Sequence, residues 1–574
     1  MTKTYEFAQY TAILHGDELT VLTDGTEWAR LRLAVTVDRE GDAGTEEDLD
    51  TGVRTVEEQT EKDGSVTVRV CRGSRIWEEK TVFCRLDEEG FSVRAEVRGT
   101  GRVGKVTFLE SRTADGSFGA SGYEFGAYTV PFTDFFSREH RTHNVIEPFS
   151  FDLQIFCPPL YVFSFRHPET DLRFGLGLYG QDGDWNFIRY DFALSRRRPY
   201  CGFSLSTDFE GHRVVRETFR TPQIRAFFAP SDREIFRAYA DRFRAEHPDL
   251  PRPRADIPDF WRGPIICGWQ EQYVHAGDRT QFDADHFSRE SVYRSFVDKV
   301  FAAGLRPKIL IIDDKWQGEY GIPRPDPEKW PDLRGFIDDM KQKGLHTLLW
   351  YKLWAGPGLP LDETVRESDA TPYGTMAFDE SPYCDPSNPK WQARLRRTIH
   401  TLLSADEGCC NADGFKVDFA FMMPRGKKAR SYSGEYGVEL YREQMRLIYQ
   451  YAKEEKPDCL INASLGHPYF TGLSDQHRLH DYDDAMRDYT AEMQYRRDLF
   501  DLAIPGLLID CDSPCYGGPI STMRALRAQP SIGVPDLYRI SGTEAWTFSE
   551  EDLAELRKIW EAYDRACGRE PAGK

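Results

Sequence analysis

Up to about residue 230 apolar and polar positions alternate in short runs separated by turns. Ser65-Val-Thr-Val-Arg-Val70 is one run, Phe91-Ser-Val-Arg-Ala-Glu-Val97 follows Glu88-Glu-Gly90, and Leu160-Tyr-Val-Phe-Ser-Phe165 is a third. A period of two turns one face to a core and the other to water, the grammar of an antiparallel β-sandwich. A helical pattern then runs from Asp232 to Arg244. It gives way to His247-Pro-Asp-Leu-Pro-Arg-Pro-Arg-Ala-Asp-Ile-Pro258, whose prolines forbid a continuous helix or a central strand. The expected division is a β-sandwich over 1–230, a helix and Pro-rich linker over 231–258, and a second domain over 259–574.

In that second domain short buried strands alternate with long helical patterns. Pro264-Ile-Ile-Cys267, Lys308-Ile-Leu-Ile-Ile312, His346-Thr-Leu-Leu-Trp350, Gly414-Phe-Lys-Val417, Cys459-Leu-Ile461, a segment near Gln476 to His480 and Leu507-Leu-Ile509 read as strands. Helices are expected between most of them, with a last one opening at Ser549-Glu-Glu-Asp552, a capping-box-like start, and running to about Ala566. Seven or eight such units fit an α/β fold of the (β/α)8 TIM-barrel type better than an open doubly wound sheet, and no glycine-rich phosphate fingerprint follows the first strand.

Charge narrows the function. Lys and Arg number 74 against 94 Asp and Glu, a formal charge of −20, which excludes a general binder of nucleic-acid backbones. The amino terminus shows no basic patch followed by an apolar run, and no apolar stretch approaches about 18 residues, so the expectation is a cytoplasmic protein with no membrane partner. The 12 cysteines form no pair of zinc-type clusters and are read as reduced, with no metal and no cofactor expected.

Side chains at the carboxyl ends of barrel strands converge on one mouth. Reading outward from each strand gives Trp269; then Asp313, Asp314 and Trp316; Lys352 and Trp354; Lys416 and Asp418; Asn462 and His467; Arg478 and Asp481; and Asp510 and Asp512. Alternation along Gly414-Phe-Lys-Val-Asp-Phe419 places Lys416 and Asp418 on the same inner side. Buried carboxylates are costly unless they bind metal, pair with cations or do chemistry. With few His at strand ends, the combination of Asp, Trp and Lys suits a sugar, because carboxylates accept hydrogen bonds from vicinal hydroxyls and indoles stack on the apolar face of the ring. Two further carboxylates could cleave a glycosidic bond.

These residues also carry a resemblance. Ile311-Ile-Asp-Asp-Lys-Trp-Gln317 is similar to an "IDDGWQ" element, Asp385-Pro-Ser-Asn-Pro389 to "DPxNP", Gly414-Phe-Lys-Val-Asp418 to a "GxKxD" strand, and Arg478-Leu-His-Asp-Tyr-Asp-Asp-Ala485 to an "RxSDxxDA" region. Over roughly residues 235–565 the chain resembles the α-galactosidase and raffinose-synthase superfamily, clan D of the glycoside hydrolases, family 36 above all. The resemblance implies a sandwich before a barrel, Asp418 as nucleophile, Asp481 as acid/base, Asp313 and Asp314 as ligands of sugar hydroxyls, and Lys416 as a ligand beside the nucleophile. Trp269, Trp316, Lys352, Trp354, His467, Arg478 and Asp512 complete the expected substrate-binding set, with Asp510 or Asp512 as alternatives for the acid/base role. Lys315 stands where the family has Gly, and Lys352 to Trp354 replace an acidic pair.

The reaction implied is a retaining double displacement on an α-linked pyranoside. Lys416 is expected to hold Asp418 ionised. Retention places the two carboxyl groups about 5–5.5 Å apart. A raffinose-synthase-like transglycosylase, a non-catalytic sugar-binding protein and, least, a metal-dependent hydrolase or nuclease are the rival readings. The partner is a carbohydrate, and a homo-oligomer is a family expectation.

Overall fold

Alternation becomes sheet in the first half of the chain. Val66, Val68 and Val70 of strand Val66–Ser74 are buried, as are Val82, Cys84 and Leu86 of Glu79–Asp87 and Val93, Ala95 and Val97 of Gly90–Arg98. Register aligns them, with Cys84 opposite both Val68 and Val93 in antiparallel pairs. In the computed structural model, residues 2–115, 118–123, 127–128, 145–146, 158–166, 172–181, 183–195, 202–277, 284–354, 356–368, 371–372, 382–420, 422–479, 489–512, 519–543 and 546–569 are described. The amino-terminal strands form two antiparallel sheets packed face to face. Trp28, from strand Thr26–Arg32 of one sheet, meets Phe174, from Arg173–Tyr179 of the other, at a ring separation of 5.8 Å.

Helix α1 (Asp232–Glu246) follows, capped by the Ser231 side chain and turning Ile235, Phe236, Tyr239, Ala240 and Phe243 inward. The rest of the chain is a parallel barrel: β1 (Ile265–Cys267), β2 (Ile309–Ile312), β3 (His346–Lys352), β4 (Gly414–Asp418), β5 (Leu460–Ala463), β6 (Gln476–Arg478), β7 (Leu508–Asp510) and β8 (Asp536–Leu537). They are laddered in the order β8-β1-β2-β3-β4-β5-β6-β7. The ring closes where the Val534 N–H donates to the Ile509 carbonyl at 2.7 Å, beside a parallel bridge from Asp510 to Val534. The outer helices are α2 (Trp269–His275), α3 (Glu290–Ala302), α4 (Leu333–Gln342), α5 (Pro389–Leu403), α6 (Gly437–Glu455), α7 (Tyr489–Ala503), α8 (Pro519–Ile532) and α9 (Glu550–Ala566). The capping box read at Ser549 is present, with Asp552 as its reciprocal partner. The Asp385-Pro-Ser-Asn-Pro389 element is a helix start: Asn388 accepts the Lys390 N–H at 2.9 Å and Pro389 occupies the first turn of α5.

One unit departs from the β-then-α rhythm. Between β5 and β6 there is only a short 3-10 turn, Pro468–Phe470, and α1 packs against that turn and against α7. A helix from before the barrel thus covers the wall that its missing fifth helix leaves open. No helix among the described residues is long and apolar enough to cross a membrane.

Candidate active site

The carboxyl ends of the strands bring together a buried ionic cluster. On one side lies Asp313, at the end of β2. Its Oδ2 accepts from Lys416 Nζ at 2.7 Å and from the Cys267 thiol at 2.9 Å, and its Oδ1 accepts the Asp314 N–H at 2.8 Å. Lys416 is buried, which opposes its charged form, yet the negative charge of Asp313 prevails and holds its pKa well above the ordinary lysine value. Burial, with Asp313 beside it, pushes the Cys267 thiol up as well, so it stays a neutral donor.

On the other side lies Asp418, at the end of β4. Its Oδ1 accepts from an Arg478 guanidinium nitrogen at 2.8 Å and from the Phe419 N–H at 2.8 Å, and its Oδ2 accepts from the Trp350 indole at 3.1 Å. The other guanidinium nitrogen of Arg478 donates to Asp512 Oδ2 at 2.8 Å, and the Tyr538 hydroxyl, just after β8, donates to Asp512 Oδ1. Asp510 accepts from Asn462 at 2.8 Å; burial and then the charge of Asp512 raise its pKa above the usual carboxylate range. The Asp418 side chain is 20% exposed while those of Arg478 and Asp512 are 2% and 0%. Within this chain of charges, Asp418 is the acid with appreciable solvent exposure.

A third group rims the mouth beyond β2 and β3. Asp314 accepts from the Tyr320 hydroxyl at 2.9 Å, and burial raises its pKa to about 7. Lys352 Nζ stands 4.3 Å from the centre of the Tyr320 ring and 5.5 Å from that of Phe419. Lys315 and Phe419, each following one of the acids, and Asp512 hold positive φ of 71°, 55° and 44°. At each of these bends the N–H donates to an acid just before it: Lys315 to Asp314, Phe419 to Asp418 and Asp512 to Asp510. Non-glycine residues in this region carry strain that the surrounding hydrogen bonds hold, and such strain concentrates at functional sites. The Lys315 position, where the family pattern has Gly, is one of them.

Several expectations are corrected. Lys416 does not flank the nucleophile candidate as its counter-ion; it pairs with Asp313, and Arg478 takes the place next to Asp418. His467 lies away from the mouth. It caps the turn Pro468–Phe470 through Nδ1, its Nε2 is 3.0 Å from the Tyr239 hydroxyl of α1, and its ring sits among Tyr161, Trp185 and Phe243. Burial depresses its pKa far below the ordinary histidine value, so it serves as a neutral seam residue between the sandwich and the barrel. Trp316 and Trp354 are fully buried, donating to the carbonyls of Trp350 and Ala420 respectively, so their indoles are core and not platforms. Trp269 is half-buried at the start of α2, with its ring edge-on to Tyr273 at 5.2 Å. Asp510 is wholly enclosed. Asp481 lies outside the described residues.

Reading the sequence missed Tyr538, Trp350, Tyr320 and Cys267 as members of the site. Trp350 and Cys267 read from the pattern as strand residues, although Trp350 shares the face of Lys352 two residues on. Tyr538 follows a strand of two residues, Asp536–Leu537, preceded by Pro535, which gives no apolar run to find. Glu271 of α2 fixes the loop beyond it, accepting the N–H groups of Ile540 at 3.0 Å and Ser541 at 3.1 Å. Among the described residues no three His, Cys, Asp or Glu side chains converge as a metal site.

A sandwich followed by a (β/α)8 barrel is an architecture shared with enzymes of known structure, α-galactosidases among them. The α-galactosidase from Lactobacillus brevis superposes with a TM-score of 0.53 at 12% identity, covering 99% of this chain and 83% of that one. A GH31 family sulfoquinovosidase from E. rectale, in complex with an aza-sugar inhibitor, gives 0.57 at 12% identity over 97% and 83%. The α-galactosidase from Thermus thermophilus, in complex with stachyose, gives 0.50 at 16% identity over 88% and 99%. At these identities the likeness is one of fold. No protein-family model and no curated protein matches the sequence.

Proposed function

We propose that the chain is a glycoside hydrolase of the α-galactosidase-like superfamily that cleaves α-linked pyranosides with retention of configuration. The observation that carries the reading is Asp418: a strand-end carboxylate, 20% exposed, with both oxygens held by donors and a buried arginine as its counter-ion. Those donors fix the carboxylate's orientation, which an attacking nucleophile needs.

In this mechanism Asp418 attacks the anomeric carbon while Asp481 gives a proton to the leaving oxygen. The C–O bond to the leaving group breaks as the glycosyl ester to Asp418 forms. Asp481 then takes a proton from water, whose oxygen attacks the same carbon and frees Asp418. Asp512 and Tyr538 hold Arg478 in place while the charge on Asp418 is consumed and restored. Asp313, Asp314 and Lys416 serve as ligands of the sugar hydroxyls, with Trp269 and Lys352 at the rim.

The test is a panel of 4-nitrophenyl α- and β-glycosides, with the first-formed product followed by proton NMR. The α-anomer released from an α-glycoside supports the mechanism. A β-anomer, or preference for β-glycosides, overturns it. Absence of hydrolysis across the panel leaves a sugar-binding protein.

A further inference from the structure

A cavity of about 590 Å3, sharing no lining residue with the barrel mouth, opens where strand Gly90–Arg98, the turn before Gln223–Ala229, the segment after Arg173–Tyr179 and the end of α1 meet. Its size falls in the range of small-molecule sites. Arg94, Arg220, Gln181, Gln223, Asp184 and Glu246 line it.

Arg94 differs from the carboxylate-paired arginines of the sandwich. Three of those meet carboxylates from enclosed or half-buried positions: Arg72 meets Asp50 at 2.6 Å, Arg112 meets Asp38 at 3.1 Å, and Arg225 meets Asp87 at 2.8 Å. Arg94 is half-buried and stacks on the Phe83 ring at 4.6 Å, but it makes no ion pair or side-chain hydrogen bond with any described residue, and one of its terminal nitrogens is buried without an acceptor. Arg220 adds a second cation beside it, its Nε bonded to Glu96 at 2.9 Å; burial and that like charge lower the Arg94 pKa, with the charge of Glu96 opposing them. The two acids on the cavity wall are engaged elsewhere, Asp184 by Arg213 at 3.3 Å and Glu246 by Arg242 at 2.6 Å. Two guanidinium groups thus share the charge of Glu96, and a buried guanidinium nitrogen left without an acceptor is costly to keep unless something outside the chain supplies one.

We propose that this cavity binds a small molecule bearing an oxyanion, of the size of a hexose phosphate or a hexuronate. The guanidinium groups of Arg94 and Arg220 grip the anion, and the amides of Gln181 and Gln223 meet its hydroxyls. A planar, fork-shaped donor set matches a phosphate or carboxylate in a way that a neutral sugar does not exploit. The site is independent of Asp418, so it stands or falls separately from the reaction proposed for the barrel.

Isothermal titration of the full chain with glucose 6-phosphate, glucuronate and glucose at low salt tests this. The expected result is saturable binding of at least one anion, with the preferred one identifying the oxyanion, and weaker or no binding of glucose. Arg94→Gln weakens the bound anion by about tenfold or more, because a charge-assisted pair is lost. Arg220→Gln, at an exposed position, gives a second reading should Arg94→Gln unfold, with thermal melting reporting the fold of both. No binding of either anion, glucose binding as tightly as glucose 6-phosphate, or unchanged affinity in folded variants overturns the proposal.

Discussion

Both domains bury ion pairs, and they arrange them differently. In the sandwich, Asp48 accepts from Lys80 at 2.7 Å, from the Ser74 hydroxyl at 2.6 Å and from the Val37 N–H at 2.9 Å, with both charged side chains sealed from solvent. In the barrel, Arg478 is shared by Asp418 and Asp512, and Lys416 faces Asp313 while Asp314 and Asp510 stand close by with raised pKa values. The first cluster is neutral and closed. The second carries surplus acid, and its one partly exposed carboxylate, Asp418, has a bent backbone immediately after it, as Asp314 does. A closed pair ties structure together, whereas an acid-rich cluster with an opening stores negative charge where a reaction could use it.

That contrast can be broken from either side. The largest effect is expected from Asp418→Asn, which should reduce kcat on the best aryl glycoside by on the order of a thousandfold or more while leaving the melting temperature nearly unchanged. Activity near wild type would falsify the nucleophile assignment. In the sandwich, Lys80→Met should do the reverse. Asp48 is left buried without its cation, costing about 3–5 kcal/mol of stability, which denaturant unfolding would register, and turnover per folded molecule should hold. Loss of turnover without loss of stability would mean the two clusters are not separate.

A smaller effect is expected from Tyr538→Phe, which removes one donor to Asp512 and lets Arg478 relax. We expect kcat to fall by about 10–100-fold with KM little changed, as for other groups that orient a reacting residue. A change confined to KM would make Tyr538 a substrate ligand instead. The smallest effect concerns Asp314. Its folded pKa of about 7 lies above the value in the unfolded chain, so its favourable contribution is complete below about pH 4 and is lost as pH rises through 7. Asp314→Asn should therefore gain in melting temperature relative to wild type between pH 5 and pH 8, by roughly 2 °C. A difference that stays constant with pH would show that Asp314 is ionised in the fold throughout.

Much of this was legible in the chain. The alternation at Val66–Val70 and Phe91–Val97 gave sheet, and the apolar runs at Ile309–Ile312 and Leu348–Trp350 gave barrel strands, because burial on one or two faces leaves a local periodicity. The rule of reading outward from a strand end found Asp313, Asp418, Arg478 and Asp512, which do converge. It failed at His467, because the chain after β5 turns toward α1 instead of entering a helix, and at Trp316 and Trp354, because proximity to a strand end does not tell an inward indole from a mouth-facing one.

The sequence by itself settled which residue types stand at each strand end and where the periodicity changes, since both are properties of neighbours along the chain. Which cation serves which acid was decided only in three dimensions. Lys416 is two residues from Asp418 yet pairs with Asp313, 103 positions away, while Arg478 reaches Asp418 across 60. Closing the barrel sets those distances, and the pairing then follows the shortest path between opposite charges in a medium that screens them weakly.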